Sequence, residues 1–169
     1  MRSWLVRAAG MLTAVIVVTG CDSMAAPFGG VSEPLTPEQA RDQAVDAARD
    51  VVSTLDLPVA EAHFSRAACR DNGGGPYRGQ VTIKYPKADS YDAATAEIEQ
   101  MVQRLFAAGW DDNTDFRTHG KIAHKDGVVA VFRPQSSTAQ NRMIDVLGEC
   151  RDTTTTWETR GGLETLTLP

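Results

Sequence analysis

The chain has 169 residues, with 17 lysines and arginines against 22 aspartates and glutamates and a formal net charge of −5 at pH 7. This acidic balance argues against a nucleic-acid-binding protein and against electrostatic adhesion to anionic lipid. The hydrophobic content of 42% is ordinary, which argues against wholesale disorder. The length indicates one domain with one sizeable core.

The N-terminal segment carries Arg2 and Arg7 and then an uncharged, partly apolar run from Ala8 to Cys21. This run is too short to span a hydrocarbon core of about 30 Å as a helix. A charged start, a brief apolar stretch and small residues at the end are typical of a secretory signal peptide. The sequence Val18-Thr19-Gly20-Cys21 resembles the bacterial lipobox, in which diacylglycerol is attached to the cysteine thiol and the signal is cut just before it.

Lipidation of Cys21 predicts a signal peptide of residues 1–20 and a protein held on the extracytoplasmic side of the cell membrane. Two acyl chains give stable anchoring, whereas one gives reversible binding. Two alternatives remain, an ordinary secretion signal cleaved elsewhere and an uncleaved membrane helix. No two arginines are adjacent in this segment, which favours the general secretory route over the twin-arginine route.

The chain has three cysteines, so lipidation of Cys21 leaves Cys69 and Cys150. An even pair in an oxidising compartment predicts one disulfide. The alternative is two free thiols, one of them reactive. The spacing contains neither a CxxC motif nor a zinc-binding pattern, so no metal site is predicted.

Residues 21–34 are rich in Ser, Gly and Pro and predict a flexible tether. Thr36 then predicts an N-cap, with Pro37 at the first helical position and Gln39 completing a capping box. The helix is expected to run to about Leu55. Its apolar positions follow the 3.6-residue period and form one packing face: Ala40, Ala44, Val45, Ala48, Val51, Val52 and Leu55.

Two strands are predicted next, at His63–Arg70 and Gln80–Tyr85, separated by a glycine-rich loop at 71–76. Strict alternation in the second strand places Val81, Ile83 and Tyr85 on one buried face. A strand with one wet face indicates an antiparallel sheet backed by helices on one side. A second helix follows, capped by Asp89 or Ser90 and ending at Ala108 and Gly109, with an apolar stripe of Ala94, Ile98, Met101, Val102 and Leu105.

A strand from about Phe116 to Lys125 leads into Asp126-Gly127, which is the strongest hairpin signal in the chain. A two-residue turn pairs Lys125 with Val128, and His124 with Val129. The inward face is predicted to be the one without lysines, namely Ile122, His124, Val129 and Val131. The opposite face contains Lys121, Ala123, Lys125, Val128, Ala130 and Phe132. The large apolar side chain of Phe132 is an argument for this opposite face as the inward one.

Met143–Cys150 is predicted to be the last strand, and Thr153–Trp157 either extends it or forms a short edge strand. The order α-β-β-α-β-β-β favours an α+β two-layer sandwich, with a mostly antiparallel sheet of four to five strands and two helices on one face. The domain is predicted to span residues 35–160, followed by a C-terminal tail at 161–169. If the first and last strands are neighbours, the disulfide ties the two termini of the sheet together.

This layout resembles that of small actinobacterial lipoproteins of the LppA-like kind. The shared features are the lipobox, Cys69 before the sheet, the Tyr91–Gly109 helix, a hairpin, and a closing strand at Gly148-Glu149-Cys150. The resemblance covers roughly residues 1–150 and rests on layout more than on identity. It implies an envelope location and a disulfide, and it supplies no catalytic residues.

Three histidines suggest general-base or metal chemistry, but His119 and His124 have opposite parity on a regular strand. Only His63 and His124 are expected to be able to meet, with Asp126 or Asp145 nearby. The favoured interpretation is one partly buried and two solvated histidines. The serines lie in no nucleophile motif, and the glycine run at 73–75 precedes a strand and not a helix, so neither acyl transfer nor phosphate binding is indicated.

The sequence therefore predicts a non-catalytic, diacylated envelope lipoprotein with no cofactor and no nucleic-acid partner. Its domain is expected to present a binding surface to an envelope protein or small ligand, with Tyr77, His124 and Trp157 as the candidate residues. The alternative is a lipid-anchored hydrolase that uses His63 and His124 with a carboxylate. An enzyme needs a pocket that holds a histidine and a carboxylate within hydrogen-bond reach, and none is expected.

Overall fold

The computed structural model describes residues 31–169, so the predicted signal peptide, Cys21 and most of the predicted tether lie outside the described residues. The described part has two helices, α1 (Pro37–Leu55) and α2 (Tyr91–Ala107). Its strands are β1 (Glu61–Ala68), β2 (Tyr77–Tyr85), β3 (Lys121–Lys125), β4 (Val128–Phe132), β5 (Arg142–Leu147) and β6 (Glu164–Thr165). Neither helix is long and apolar enough to cross a bilayer.

The six strands form one antiparallel sheet in the order β3-β4-β5-β2-β1-β6. The two helices cover one face, and the other face, called here the open face, carries Thr82, Val131 and Asp145. This is the predicted α+β sandwich, with one strand more than expected. The additional strand is β6, which lies in the unassigned tail and pairs with β1 through His63 and Phe64.

Both helices begin and end where the sequence predicts. The Thr36 hydroxyl accepts a hydrogen bond from the Gln39 backbone N–H (3.1 Å), and the Gln39 side chain accepts one from the Thr36 N–H (2.9 Å). This completes the capping box. Ser90 caps α2, and Gly109 has a φ of 89° just after its end. The buried residues of α1 and α2 are those of the predicted apolar faces.

Helix α1 lies directly against β2 at Gly79. A Cβ atom at Gly79 would lie 2.2 Å from the carbonyl oxygen of Ala40 and 3.0 Å from the Cβ of Ala44. Glycine is required at this position because any side chain would push the helix away from the sheet. The contact lets α1 cover the core residues of the central strands, which include Phe64, Val81, Ile83, Ile144 and Val146.

Several strand boundaries differ from the predictions. β1 begins two residues earlier than expected, and β2 begins at Tyr77 and not at Gln80. The predicted strand from Phe116 is wrong before Lys121, because its partner β4 ends at Phe132 and leaves the earlier residues unpaired. β5 ends at Leu147, and the segment 153–157 forms no strand.

The β3–β4 hairpin has the predicted register but presents the opposite face to the core. Asp126 and Gly127 both have positive φ, and Lys125 pairs with Val128 as expected. The prediction of Ile122, His124, Val129 and Val131 as the inward face is wrong, because the core contains Ala123, Val128, Ala130 and Phe132.

The two lysines on the inward face explain this error. Lys125 Nζ lies 3.0 Å from Asp50 Oδ2 of α1 and 5.9 Å from the centre of the Trp110 ring. Lys121 is exposed, and its Nζ lies 3.5 Å from Glu99 Oε1 of α2. Both lysines stand at the ends of β3, so their charged groups reach solvent or a carboxylate while the strand centre is buried.

A disulfide joins Cys69, just after β1, to Cys150, three residues after β5, with a Cα–Cα distance of 6.0 Å. The two strands are not neighbours, because β2 lies between them. Gly148 still donates to the Gly79 carbonyl, whereas the next backbone pair joins Tyr77 to Asp152. Residues 149–151 therefore bulge out of the ladder, and this bulge brings Cys150 to Cys69.

Substitution of Gly79 by alanine should lower the free energy of unfolding by about 1–3 kcal/mol, because the new methyl group overlaps the Ala40 carbonyl. Urea denaturation of the full chain would measure this loss. Gly162→Ala is the matched control, since nothing lies within 4 Å of a Cβ atom there. Equal stability of Gly79→Ala and wild type would contradict the close contact between α1 and β2.

Substitution of Asp50 by asparagine should lower the free energy of unfolding at pH 7. The variant should also lose less stability than the wild type when the pH is lowered. Burial raises the pKa of Asp50, but hydrogen bonds from Lys125 and Trp110 outweigh burial, and the net pKa lies below the usual value. A carboxyl with a lowered folded-state pKa stabilises the fold above its unfolded pKa of about 4, and this contribution is lost as pH falls through the folded pKa.

Unfolding midpoints of the wild type and Asp50→Asn between about pH 3 and pH 7 would check this expectation. Asp46→Asn is the control, because Asp46 lies one turn earlier on α1 and pairs only with the exposed Arg49 among the described residues. Parallel pH profiles for the wild type and Asp50→Asn would contradict the role of this carboxylate.

Candidate functional site

A cleft of about 620 Å³ lies on the open face of the sheet. Its floor is formed by residues of β1, β2, β4 and β5. Its wall is the segment Phe116–Gly120, which precedes β3. Gly120 allows this segment to lie close to the sheet, because a Cβ atom there would be 2.4 Å from the Phe132 carbonyl oxygen. The first half of the predicted Phe116–Lys125 strand is therefore the wall of a cleft, and only the second half is a strand.

Asp145 lies on the cleft floor and is only 4% exposed. Its carboxylate accepts a hydrogen bond from the Thr82 hydroxyl (2.7 Å) and another from Arg133 Nε. A buried carboxylate needs such partners, because desolvation of an unpaired charge is costly. Arg133 therefore balances the charge of Asp145 within the cleft.

Arg78 also lines the cleft, and its guanidinium lies 5.8 Å from the centre of the Phe116 ring. The side chain is half-buried, and burial lowers its pKa. Among residues 31–169, no carboxylate forms an ion pair with Arg78. The cleft therefore contains a partly desolvated positive charge without a balancing partner in the described part of the chain.

Sequence reasoning missed Arg78 and Arg133 as site residues. The alternation of β2 is evident in the sequence only from Gln80, although the core-facing positions continue back through Gly79 to Tyr77. Extending the period by one step places Arg78 on the open face beside Gln80. The alternation is not visible at this point of the sequence because Gly79, which faces the core, is not counted as an apolar residue.

A second cleft, of about 390 Å³, lies beside the disulfide between residues 73–76 and residues 153–157. Tyr77 and Trp157 both line it, so the structure brings together two of the three predicted binding residues. Tyr77 itself does not present a free aromatic ring to a partner. Tyr77 is 1% exposed, and its hydroxyl donates to the Gly73 carbonyl (2.9 Å).

Trp157 is 61% exposed, and the Arg160 guanidinium lies 3.5 Å from its ring centre. Asp152, which the sequence did not single out, organises this corner. It is 1% exposed, and its carboxylate accepts hydrogen bonds from the backbone N–H groups of Thr154 and Thr155. Its backbone pairs with both Leu35 and Tyr77.

The histidines do not assemble into one site. His63 lies on β1 and His124 on β3, and strands β4, β5 and β2 separate them. The hypothesis of a shared His63/His124 pair is therefore wrong. Asp145, one of the two carboxylates proposed beside this pair, is hydrogen-bonded instead to Thr82 and Arg133.

Each of these histidines contacts a different, exposed carboxylate. His63 lies beside Glu61, and His124 Nδ1 is 3.1 Å from Asp111 Oδ1. Hydrogen bonds from Lys84 and His63 lower the pKa of Glu61. The Asn113 backbone and His124 do the same for Asp111. Both carboxyls are therefore ionised at neutral pH, and neither pair lines either cleft.

His119 is the histidine that lines the open-face cleft. Within residues 31–169, no group of three or more His, Cys, Asp or Glu side chains is placed to hold a metal ion. The chemistry available in the cleft is hydrogen bonding and charge, supplied chiefly by two arginines, a buried carboxylate and the adjoining polar side chains.

Comparison with known proteins supports the expectation of an actinobacterial lipoprotein. A family model described as "Putative lipoprotein LppJ" matches residues 36–168. The LppJ proteins of Mycobacterium tuberculosis strain H37Rv and Mycobacterium bovis are each 32% identical over 130 residues, which is 76% of this chain and 67% of the relative. No solved structure matches the chain. The chain belongs to the LppJ family of lipoproteins.

Proposed function

We propose that the protein is a non-catalytic binding module, held on the extracytoplasmic side of the cell membrane by acyl chains on Cys21, that takes a small ligand in its open-face cleft. Membership of a lipoprotein family and the sequence Val18-Thr19-Gly20-Cys21 support the anchor. Two acyl chains would retain an acidic protein that has little electrostatic attraction to anionic lipid.

The observation that carries the binding function is the shape of the open face. Helices cover the other face, so a sheet of this kind would ordinarily present a flat wet surface. Here the Phe116–Gly120 segment stands beside the exposed side of the sheet and borders an open cleft of about 620 Å³. A cavity in that size range with a few convergent polar groups is typical of a small-molecule site.

The lining supports binding more than catalysis. Apolar side chains of Val131, Met143 and Leu147 lie beside Arg78 and Gln80. Each oxygen of the Asp145 carboxylate accepts one hydrogen bond, from Thr82 or from Arg133, which gives this group a structural role in the cleft floor. The arrangement can orient a ligand by charge and hydrogen bonds while apolar surface covers the rest of it.

The anchor is tested by the substitution Cys21→Ala. The variant should incorporate no labelled palmitate, because the acceptor thiol is gone, and it should be released to the medium or remain as the uncut precursor. Ser23→Ala, two residues further on, is the control and should be labelled like the wild type. Unchanged labelling of Cys21→Ala would refute lipidation at this position.

The cleft is tested by NMR of the full chain in dodecylmaltoside, with labelled methyl groups. Small probes of different charge (inorganic phosphate, acetate, glucose and methylammonium) would be added in turn. At least one should shift the methyl signals of Val131, Met143 and Leu147 and leave those of the core residues Val81 and Ile83 in place.

A bulky side chain on the cleft wall should block that response. Thr118→Trp places an indole at an exposed position that lines the cleft, so the fold is spared and probe binding is lost. Thr167→Trp, also at an exposed threonine but in the tail, should bind like the wild type. Probe shifts that map to the Trp157 cleft, or that survive Thr118→Trp, would contradict the proposed site.

A further inference from the structure

We infer that the ligand of the open-face cleft carries an oxyanion, a carboxylate or a phosphate, which the guanidinium of Arg78 binds; this inference rests on the proposed function of the cleft. It concerns the charge and geometry of the ligand, which the existence of a cleft does not determine. Three observations support it: the charge balance of the lining, the environment of Arg78 and the hydrogen-bond donors around it.

The lining of the cleft is positive although the protein is acidic. Asp145 is the one carboxylate among the described residues that line it, and Arg133 already pairs with it. Arg78 remains, so the arginines and the carboxylate of the lining sum to a charge of +1. The whole chain has a formal net charge of −5, so this charge is local to the cleft and is not a property of the surface in general.

Arg78 differs from arginines elsewhere in the fold that support structure. Arg41 pairs with Glu164, Arg142 with Glu97, and Arg151 with Glu149. Arg78 has a half-buried side chain and, within residues 31–169, neither an ion pair nor a side-chain hydrogen bond to the protein. Partial burial of a charge costs free energy, and an anion bound in the cleft would offset that cost.

The geometry favours an oxyanion over a single charged atom. A guanidinium is planar and offers paired N–H groups that match the two oxygens of a carboxylate or phosphate. The ring of Phe116, 5.8 Å from the Arg78 guanidinium, limits its motion on one side. Gln80, Thr118 and Ser136 also line the cleft and add neutral donors for the remaining oxygens.

The same oxyanion chemistry is available from a free solute or from the phosphodiester of a lipid headgroup beside the anchored protein. Inorganic phosphate and acetate represent the free forms, and dimethyl phosphate represents the headgroup phosphodiester without its chains. Each would be titrated into the full chain in dodecylmaltoside, a phosphate-free detergent. The Arg78 Nε–H signal and the Leu147 methyl signals would report binding.

At least one of the three anions should bind with saturable shifts of both reporters. Arg78→Gln should weaken that binding at least about tenfold, because a charge-assisted bidentate contact is lost. Arg78→Lys keeps the charge but loses the paired N–H groups of the guanidinium. Its anion affinity should therefore lie between those of the wild type and Arg78→Gln. Stronger binding of dimethyl phosphate than of inorganic phosphate would identify a lipid headgroup as the source, and the reverse order a free solute.

Lys84→Gln is the matched control, because Lys84 lies on the same strand and the same face, six residues away, and pairs with Glu61 outside the cleft. It should bind anions within about twofold of the wild type, since Lys84 does not line the cleft and solvent screens a charge outside it. Arg78→Gln should also keep the thermal stability of the ligand-free wild type, which separates loss of a binding group from loss of a structural one.

The outcomes separate this inference from the proposed function. Binding of glucose or methylammonium in the cleft without binding of any anion would overturn the oxyanion and leave the binding module standing. No response of the cleft to any probe would overturn both. Anion affinity that survives in both Arg78→Gln and Arg78→Lys would overturn the role of Arg78.

Discussion

The architecture depends on the close approach of α1 to β2 at Gly79. The carbonyl of Ala40 occupies the space that a side chain would take, so the helix lies at backbone distance from the centre of the sheet. This contact brings the small residues of α1 against the β-branched residues of β2 in one buried layer. Helix α2 packs on the same side, against α1 and β3, and the other face is left to the loop that forms the cleft.

The features that the sequence predicted correctly are those that local rules determine. The capping box at Thr36 and the glycine after α2 fix helix ends within one turn, and Asp126-Gly127 fixes a hairpin register. The disulfide was predicted from the number of cysteines and from the expected oxidising compartment alone. Each of these signals is contained within a few residues or in composition, so no tertiary information was required.

The wrong predictions concern features that depend on contacts between residues far apart in the chain. The inward face of the hairpin depends on Lys125 meeting Asp50, which is 75 residues away in the chain. The cleft depends on a segment that has strand-like composition but no partner strand, because β4 stops at Phe132. The predicted pairing of His63 with His124 is wrong for a similar reason. The hydrophobic pattern of a single strand does not determine the order of strands in the sheet.

The contacts between residues 33–35 and residues 151–152 affect how the fold responds to a pulling force. The backbone N–H of Leu35 donates to the Arg151 carbonyl, and the Arg151 side chain bonds to the Glu33 carbonyl. A pull applied along the chain from its N-terminal side therefore enters the folded part next to Cys150, which is covalently joined to Cys69 at the end of β1. The load is shared between two strands that flank β2, so the sheet resists being unzipped from that side one strand at a time.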